Sequence, residues 1–201
     1  MTPRVFVVAA ALFSVMAGSP AAAAPEDAFP HISMDPEERL SGGAPGGFFR
    51  LFGASPVART TVTYPSTLSP GSIVVNTRER RLYYVMGDGR ALRYGIGVGR
   101  DGFRWSGTHR ITAKKEWPSW TPPAAMLRRR PDLPRFMPGG EDNPLGARAM
   151  YLGSTLYRIH GSNEPETIGQ AVSSGCFRMT NDDVIDLYNR VQVGATVVVQ
   201  R

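Results

Sequence analysis

Alternating and β-branched apolar positions dominate the C-terminal two thirds of the chain, and this pattern predicts a structure built mainly from strands. Short polar turns separate the apolar runs, and Asp88-Gly89 is a hairpin signal between two of them. The predicted strands cover residues 73–76, 81–85, 91–98, 109–112, 149–152, 156–160 and 196–200.

One amphipathic helix is predicted close to the C-terminus. Val184, Leu187 and Val191 recur at helical spacing, Thr180 can cap the first turn, and Gly194 marks the end. No regular alternation of helices with strands is visible, which excludes a doubly wound sheet. The predicted fold class is therefore mainly β, with a short C-terminal helix.

A long segment at residues 117–149 interrupts the strand pattern. Its 33 residues include seven prolines and five arginines, and Trp117 and Trp120 stand at its start. Loops longer than about 12–15 residues inside compact domains are usually functional or disordered. We interpret the segment as a Pro/Arg-rich flap, with the two tryptophans as its candidate contacts to the site. A solvated excursion is the alternative.

The sequence of the N-terminal third indicates an export signal followed by a spacer. Arg4 precedes a 12-residue apolar run at residues 5–16, and alanines occupy residues 21–24, as in a cleaved secretory signal. The run is shorter than the roughly 20 residues that span a bilayer, so no stable membrane span is expected; a retained anchor is the alternative. Residues 25–70 hold seven prolines and five glycines and are predicted to be a flexible linker before a functional domain at 71–201.

Composition and charge narrow the class of protein. The chain is 42% hydrophobic and 20% charged, which is typical of a globular protein and excludes collagen-like and disordered classes. Its net charge is +6, and 19 of the 23 basic residues lie in 71–201. Such a balance suits an acidic polymer, an anionic membrane or nucleic acid. The predicted signal peptide argues against nucleic acid.

The chain has a single cysteine, Cys176, which cannot form an internal disulfide. It is therefore either a reactive thiol or a small buried apolar residue. His160 ends one predicted strand and Cys176 follows Gly175, so both can face one cleft. A neighbouring base makes a thiol nucleophilic, and amides beside a glycine can hold an oxyanion. Arg178 would stabilise the thiolate or bind a substrate carboxylate.

These residues form a compound motif. His160-Gly161 is followed, after fourteen intervening residues, by Cys176 within the string Ser-Ser-Gly-Cys-Phe-Arg-Met-Thr-Asn at 173–181. The motif resembles the L,D-transpeptidase catalytic domain family, also known as the YkuD or ErfK/YbiS/YcfS/YnhG family. The resemblance covers residues 70–201.

The resemblance implies a β-sandwich-like fold and a periplasmic or cell-wall enzyme that acts on the tetrapeptide stems of peptidoglycan. Cys176 would attack the carbonyl before the terminal D-Ala and form a thioester. An amine would then take the acyl group, giving a 3→3 cross-link or attachment of an envelope protein. Water as acceptor would make the enzyme an L,D-carboxypeptidase. The family requires no metal and no organic cofactor.

The resemblance also assigns roles to individual residues. His160 matches the proton donor and acceptor, which a backbone carbonyl orients in the family, and Gly161 is the candidate for that carbonyl. Arg178 and Gly175 are placed on the substrate or oxyanion side, together with Ser174, which stands where many members have a second histidine.

Two other classes of function stay open at this point. A sortase-like cysteine acyltransferase uses similar residues, although the string around Cys176 argues against it. A wall-binding scaffold with an inert thiol is the other. Glu164 and Glu166, between the two motif halves, are interpreted as residues of a solvated loop. Binding of the donor's amine is the alternative for these two carboxylates. A zinc site built from His109, His160 and Cys176 lacks metal-ligand spacing.

Overall fold

The computed structural model describes residues 55–201. The predicted signal peptide and residues 25–54 of the predicted linker lie outside the described residues. In chain order the strands of this part are β1 (Thr60–Thr63), β2 (Ile73–Asn76), β3 (Arg81–Gly87), β4 (Arg90–Gly95), β5 (Val98–Gly99), β6 (Gly107–Glu116), β7 (Arg148–Leu152), β8 (Arg158–His160), β9 (Ala171–Ser173), β10 (Phe177–Arg178) and β11 (Thr196–Gln200). The helices are α1 (Ala124–Arg129), a 3-10 turn (Pro165–Thr167) and α2 (Asn181–Arg190).

Nine of these strands form one sheet in the order β1-β4-β3-β2-β11-β6-β7-β8-β10, and β5 and β9 form a separate parallel pair. The last strand, β11, lies in the middle of the large sheet. It pairs in parallel with β2 on one side and antiparallel with β6 on the other. The predicted mainly β class with a short C-terminal helix is confirmed.

The long strand β6 connects the two parts of the sheet. Its first residues, 107–110, pair with β11, whereas residues 111–116 pair with β7. The register shifts between Ile111 and Ala113, the irregularity expected where a strand bends and its twist increases. Apolar side chains from both parts contribute to one core, among them Ile73, Leu82, Tyr94, Met150, Ile159, Phe177 and Val197.

Helix α2 packs against β7 and is fixed at both ends. The Thr180 hydroxyl accepts a hydrogen bond from the Asp183 amide, as the sequence predicts for the N-cap. At the other end Lys114 Nζ donates to the carbonyls of Tyr188 and Val191, at 2.6 and 2.7 Å. A cation on the last carbonyls also complements the helix dipole.

Several boundaries differ from the prediction, and two of these differences change the pairing of the sheet. Thr60–Thr63, assigned to the flexible linker, forms β1 and pairs antiparallel with β4. Its three threonines favour a strand through β-branching but are not apolar, so the hydrophobic pattern does not mark it. The predicted strand 91–98 breaks after Gly95 because Gly97 pairs instead with Arg178, through backbone hydrogen bonds of 2.9 Å in both directions.

The predicted flap leaves the sheet at Trp117 and returns at Ala147, where the Trp117 amide donates to the Ala147 carbonyl at 2.8 Å. Further out, Trp120 and Met137 exchange two backbone hydrogen bonds of 2.8 Å. The six-residue helix α1 lies between them and was not predicted. No helix within residues 55–201 is long and apolar enough to cross a membrane.

Candidate active site

The site is built on the two parallel strands at the end of the large sheet. β8 and β10 pair in register, with Ile159 beside Phe177 and His160 beside Arg178. Ile159 and Phe177 are buried in the core, and side chains alternate along a strand, so the flanking positions lie on the other face. Cys176 immediately precedes β10 and belongs to that face by the same alternation. The fold thus brings the predicted cysteine, histidine and arginine together.

His160 is buried, and its ring is oriented by the next residue. Nδ1 lies 2.6 Å from the Gly161 carbonyl oxygen, the contact that the resemblance implies. A carbonyl only accepts, so Nδ1 carries the hydrogen and Nε2 keeps its lone pair. Burial lowers the pKa of His160 to about 3; the charges of Arg178 and Arg158 lower it too, while the Gly161 bond opposes them. The imidazole is therefore neutral at pH 7 and able to accept a proton.

The Cys176 thiol is half-buried and contacts the Leu156 carbonyl, with Sγ and O 3.8 Å apart. Burial raises the pKa of the thiol above its ordinary value, although the charge and hydrogen bonds of Arg158 and the charge of Arg178 oppose that rise. Thiol and imidazole are both neutral in the resting site. Neither is the other's hydrogen-bond partner among the described residues, so the thiol must leave Leu156 to pass its proton to Nε2. Catalytic hydrogen bonds often tighten in this way only when substrate binds.

Two aromatic rings fix the peptide before the cysteine. Gly175 has a φ of +108°, and a Cβ there would lie 2.5 Å from Cε1 of Tyr157. Trp105 stacks on Tyr157 at 4.5 Å and donates from Nε1 to the Gly175 carbonyl at 2.8 Å. The Ser173 hydroxyl donates to the Cys176 carbonyl at 2.6 Å. The backbone on both sides of the thiol is therefore held in place.

The residues predicted on the oxyanion side differ in whether they have a free hydrogen-bond donor. The Gly175 amide already donates to the Ser173 hydroxyl at 3.2 Å. The Cys176 amide has no hydrogen-bond partner among residues 55–201, which leaves it as the available donor of this loop. Ser174 Oγ is buried and also lacks a partner within the described chain. A buried polar atom without a partner is costly, so it is a natural contact for a bound substrate.

Arg178 is fixed through both its backbone and its side chain. Its backbone pairs with Gly97, and its Nη1 lies 2.9 Å from Oε2 of Glu164, with side chains only 11% and 22% exposed. The interpretation of Glu164 as a solvated loop residue is therefore wrong. The buried Ser162 hydroxyl accepts from the Glu164 amide at 2.9 Å and turns that residue toward the arginine.

Asn181, the first residue of α2, fixes the turn that follows His160. Its Oδ1 accepts from the Ala147 amide at 2.9 Å and lies 2.3 Å from where a Cβ would stand at Gly146 or at Gly161. Glycine is needed at these two positions because the chains approach so closely. The helix thereby positions the carbonyl that orients the imidazole.

The two flap tryptophans are not placed against the thiol by any described contact. Trp117 is 43% exposed and has a φ of +39°, and Trp120 is half-buried. Both lie at the base of the predicted flap, where their backbone hydrogen bonds to Ala147 and Met137 join its outgoing and returning segments of chain. Their action as part of a flap stays a prediction.

His109 lies apart from the thiol–imidazole pair, on β6, where its ring meets the edge of Trp105 at 5.2 Å. Across the described chain, no group of three or more His, Cys, Asp or Glu side chains is placed to hold a metal ion. Sequence reasoning assigned no role to Arg158 or Tyr157 and did not identify Glu164 as the partner of Arg178. Only Arg158 had a readable signal, because it stands two positions before His160 on a predicted strand and so shares its face.

A half-buried thiol, a neutral histidine oriented by a backbone carbonyl, and an arginine on neighbouring strands define a cysteine–histidine site of the kind used in acyl transfer. The chain belongs to the YkuD family, the L,D-transpeptidase catalytic domain, which it matches over residues 70–199.

A curated relative agrees with this assignment, and a solved structure shares the fold. The chain is 42% identical over 142 residues to "Probable L,D-transpeptidase ErfK/SrfK" of Escherichia coli strain K12, covering 66% of this chain and 44% of that protein. It thus spans less than half the length of this relative. The catalytic domain of the L,D-transpeptidase from E. faecium has a similar fold, with a TM-score of 0.51 and 21% identity over 67% of this chain and all of that one.

A further similar structure carries a different description. It is a "Probable carnitine operon oxidoreductase caia" from Brucella melitensis, with a TM-score of 0.50 and 44% identity over 73% of this chain and 96% of that one. That description applies to the Brucella protein alone.

Proposed function

We propose that the protein is a peptidoglycan L,D-transpeptidase with Cys176 as nucleophile and His160 as the proton donor and acceptor. The observation that carries the proposal is the pairing of β8 with β10, which puts the thiol and an imidazole with a free Nε2 on one face. Membership of the L,D-transpeptidase family supports the same reaction. The substrate is the tetrapeptide stem, and the site is exposed to the periplasm or cell wall.

Acylation begins when the thiol proton passes to His160 Nε2. The sulfur forms a bond to the carbonyl carbon before the terminal D-Ala, and the carbonyl electron pair moves to oxygen. The amide of Cys176 donates to this oxyanion. The intermediate then collapses: the carbon–nitrogen bond breaks, and the imidazolium returns its proton to the leaving nitrogen of D-Ala. Burial disfavours the charged imidazolium, which favours return of the proton in that step.

Deacylation uses the same groups in reverse. An amine attacks the thioester, a carbon–nitrogen bond forms, the carbon–sulfur bond breaks, and His160 carries the amine proton to the sulfur. The acceptor amine belongs to a second stem or to an envelope protein. If water attacks instead, the product is the shortened stem of an L,D-carboxypeptidase. Arg178, held by Glu164, is available to position a carboxylate of the stem.

The test is mass spectrometry of the protein incubated with disaccharide-tetrapeptides, beside its Cys176→Ala and His160→Gln variants. We expect 3→3 dimers from the wild type, none from Cys176→Ala, and acylation slowed by orders of magnitude in His160→Gln. Tripeptides without dimers would indicate hydrolysis rather than transfer. Dimers made by Cys176→Ala would exclude Cys176 as the nucleophile.

A further inference from the structure

We propose that Arg158 is the counterion of the Cys176 thiolate and so a further residue of the catalytic machinery, an inference that rests on Cys176 being the nucleophile. Arg158 is the first residue of β8. Ile159 pairs with Phe177 in the parallel register, so the residues that precede them, Arg158 and Cys176, also lie side by side. The Arg158 side chain therefore shares the face that carries His160 and the thiol.

The contacts around the thiol support this role. Arg158 Nη1 donates to the Leu156 carbonyl at 3.2 Å, and the Cys176 thiol contacts the same carbonyl oxygen. The guanidinium lies over the ring of Tyr151, 5.2 Å from its centroid, which holds the head group in the site. Arg158 Nε is buried and has no hydrogen-bond partner among the described residues. A donor in this state is satisfied when an anion forms next to it.

The two arginines of the site differ in whether a carboxylate neutralises their charge. Arg178 is neutralised by Glu164 at 2.9 Å, whereas no described carboxylate forms an ion pair with Arg158. The groups that face the thiol are therefore Arg158 and neutral His160 from β8, Arg178 with its carboxylate from β10, and the Tyr157 phenol. Burial dominates and raises the pKa of Cys176, and Arg158 is the strongest influence that opposes it.

Arg158 thus acts at the moment when the proton leaves the sulfur. In the resting site both thiol and arginine are held by the Leu156 carbonyl. When the thiol turns toward His160 and loses its proton, the negative charge on sulfur forms beside a guanidinium that has no other counterion. Removing that charge makes the thiolate harder to form without removing the thiol or its base.

The experiment measures the pH dependence of Cys176 alkylation by iodoacetamide, in which sulfur displaces iodide. Because the chain has one cysteine, mass spectrometry of the intact protein reports this thiol alone. We expect Arg158→Met to move the inflection to higher pH by about one unit, which makes alkylation at pH 8 about tenfold slower. Arg158→Lys keeps the charge and should restore most of the rate. Arg158→Gln keeps a donor for Leu156 without the charge and should behave like Arg158→Met.

Arg93→Met is the matched control, because Arg93 also has a buried Nε without a described partner but lies on β4, far along the sheet from β8. Its alkylation profile should match the wild type. The proposal is overturned if Arg158→Met and Arg158→Gln, shown to be folded by their thermal transitions, alkylate with the wild-type profile. Alkylation needs no peptidoglycan. This experiment therefore tests the role of Arg158 independently of the assay with disaccharide-tetrapeptides, which tests the transpeptidase proposal.

Discussion

The carboxylate of Glu164 and the guanidinium of Arg178 meet at 2.9 Å beside the nucleophile, and both side chains are mostly shielded from water. Glu164 enters from the loop after His160, whereas Arg178 belongs to β10. The ion pair therefore fastens the loop that follows the base to the strand that follows the nucleophile. It also sets the direction in which the arginine presents its remaining donors.

Glu164→Gln should weaken this link while keeping the shape of the side chain. We expect the free energy of unfolding to fall by about 1–3 kcal/mol, because Arg178 keeps a partly buried charge without its counterion. The Michaelis constant for the stem should change more than the turnover number, because the arginine loses its fixed position. Urea denaturation and steady-state kinetics measure both effects. The exposed Glu141→Gln is the control, and an equal loss in that variant would contradict a specific role for Glu164.

Gly175→Ala should damage the loop that carries the thiol. The new Cβ would lie 2.5 Å from Tyr157, whose ring is stacked on Trp105, and alanine disfavours a φ of +108°. We expect a loss of about 2–4 kcal/mol in urea denaturation, from strain and overpacking together. Gly140→Ala, where an added Cβ meets nothing within 4 Å, should stay within about 0.5 kcal/mol of the wild type. Equal stability of the two variants would refute the predicted clash.

His160 makes the protein sensitive to acid. Its pKa is lowered to about 3 in the folded protein, against 6.5 for an ordinary histidine, so the unfolded chain binds the proton more readily. Its contribution to stability is therefore complete above pH 6.5 and is lost as the pH falls toward 3, with a slope of up to about 1.4 kcal/mol per pH unit. His160→Gln should flatten this part of the curve, measured by urea denaturation between pH 7 and 4. A wild-type slope in the variant would exclude His160 as the cause.

Asn181→Ala should loosen the turn that orients the imidazole. The substitution removes the acceptor of the Ala147 amide and should cost about 1–2 kcal/mol in urea denaturation. Since Gly161 packs against the same oxygen, we also expect slower acylation by stem substrate. Asn189→Ala, on the exposed side of the same helix, should change neither quantity. Acylation at the wild-type rate in Asn181→Ala would limit Asn181 to a structural role elsewhere.

Local chemistry explains which features could be predicted from sequence. Strands 73–76 and 196–200 are runs of β-branched residues, and Thr180 is a recognisable helix cap, so the bounds of both strands and the start of the helix were predicted correctly. The helix ends at Arg190, before the predicted end at Gly194. The cysteine–histidine pair was readable because His160 ends a predicted strand, Cys176 follows Gly175, and both belong to a specific motif. The partner of Arg178 was not readable, since Glu164 reaches it only after β8 and β10 have paired. Likewise, Trp105 contacts the Gly175 carbonyl across 70 positions of chain.

The central position of β11 has a consequence for how the molecule is made. Strands β1–β4 lie on one side of it and β6–β10 of the large sheet on the other, so residues 196–200 join the nucleophile's part of the sheet to the rest. During synthesis from the N-terminus, neither side can complete its pairing until these residues have left the ribosome. The sheet therefore cannot be completed before residues 196–200 have been synthesised, and a nascent chain stalled before residue 196 would carry two unpaired sheet edges and an incompletely covered core.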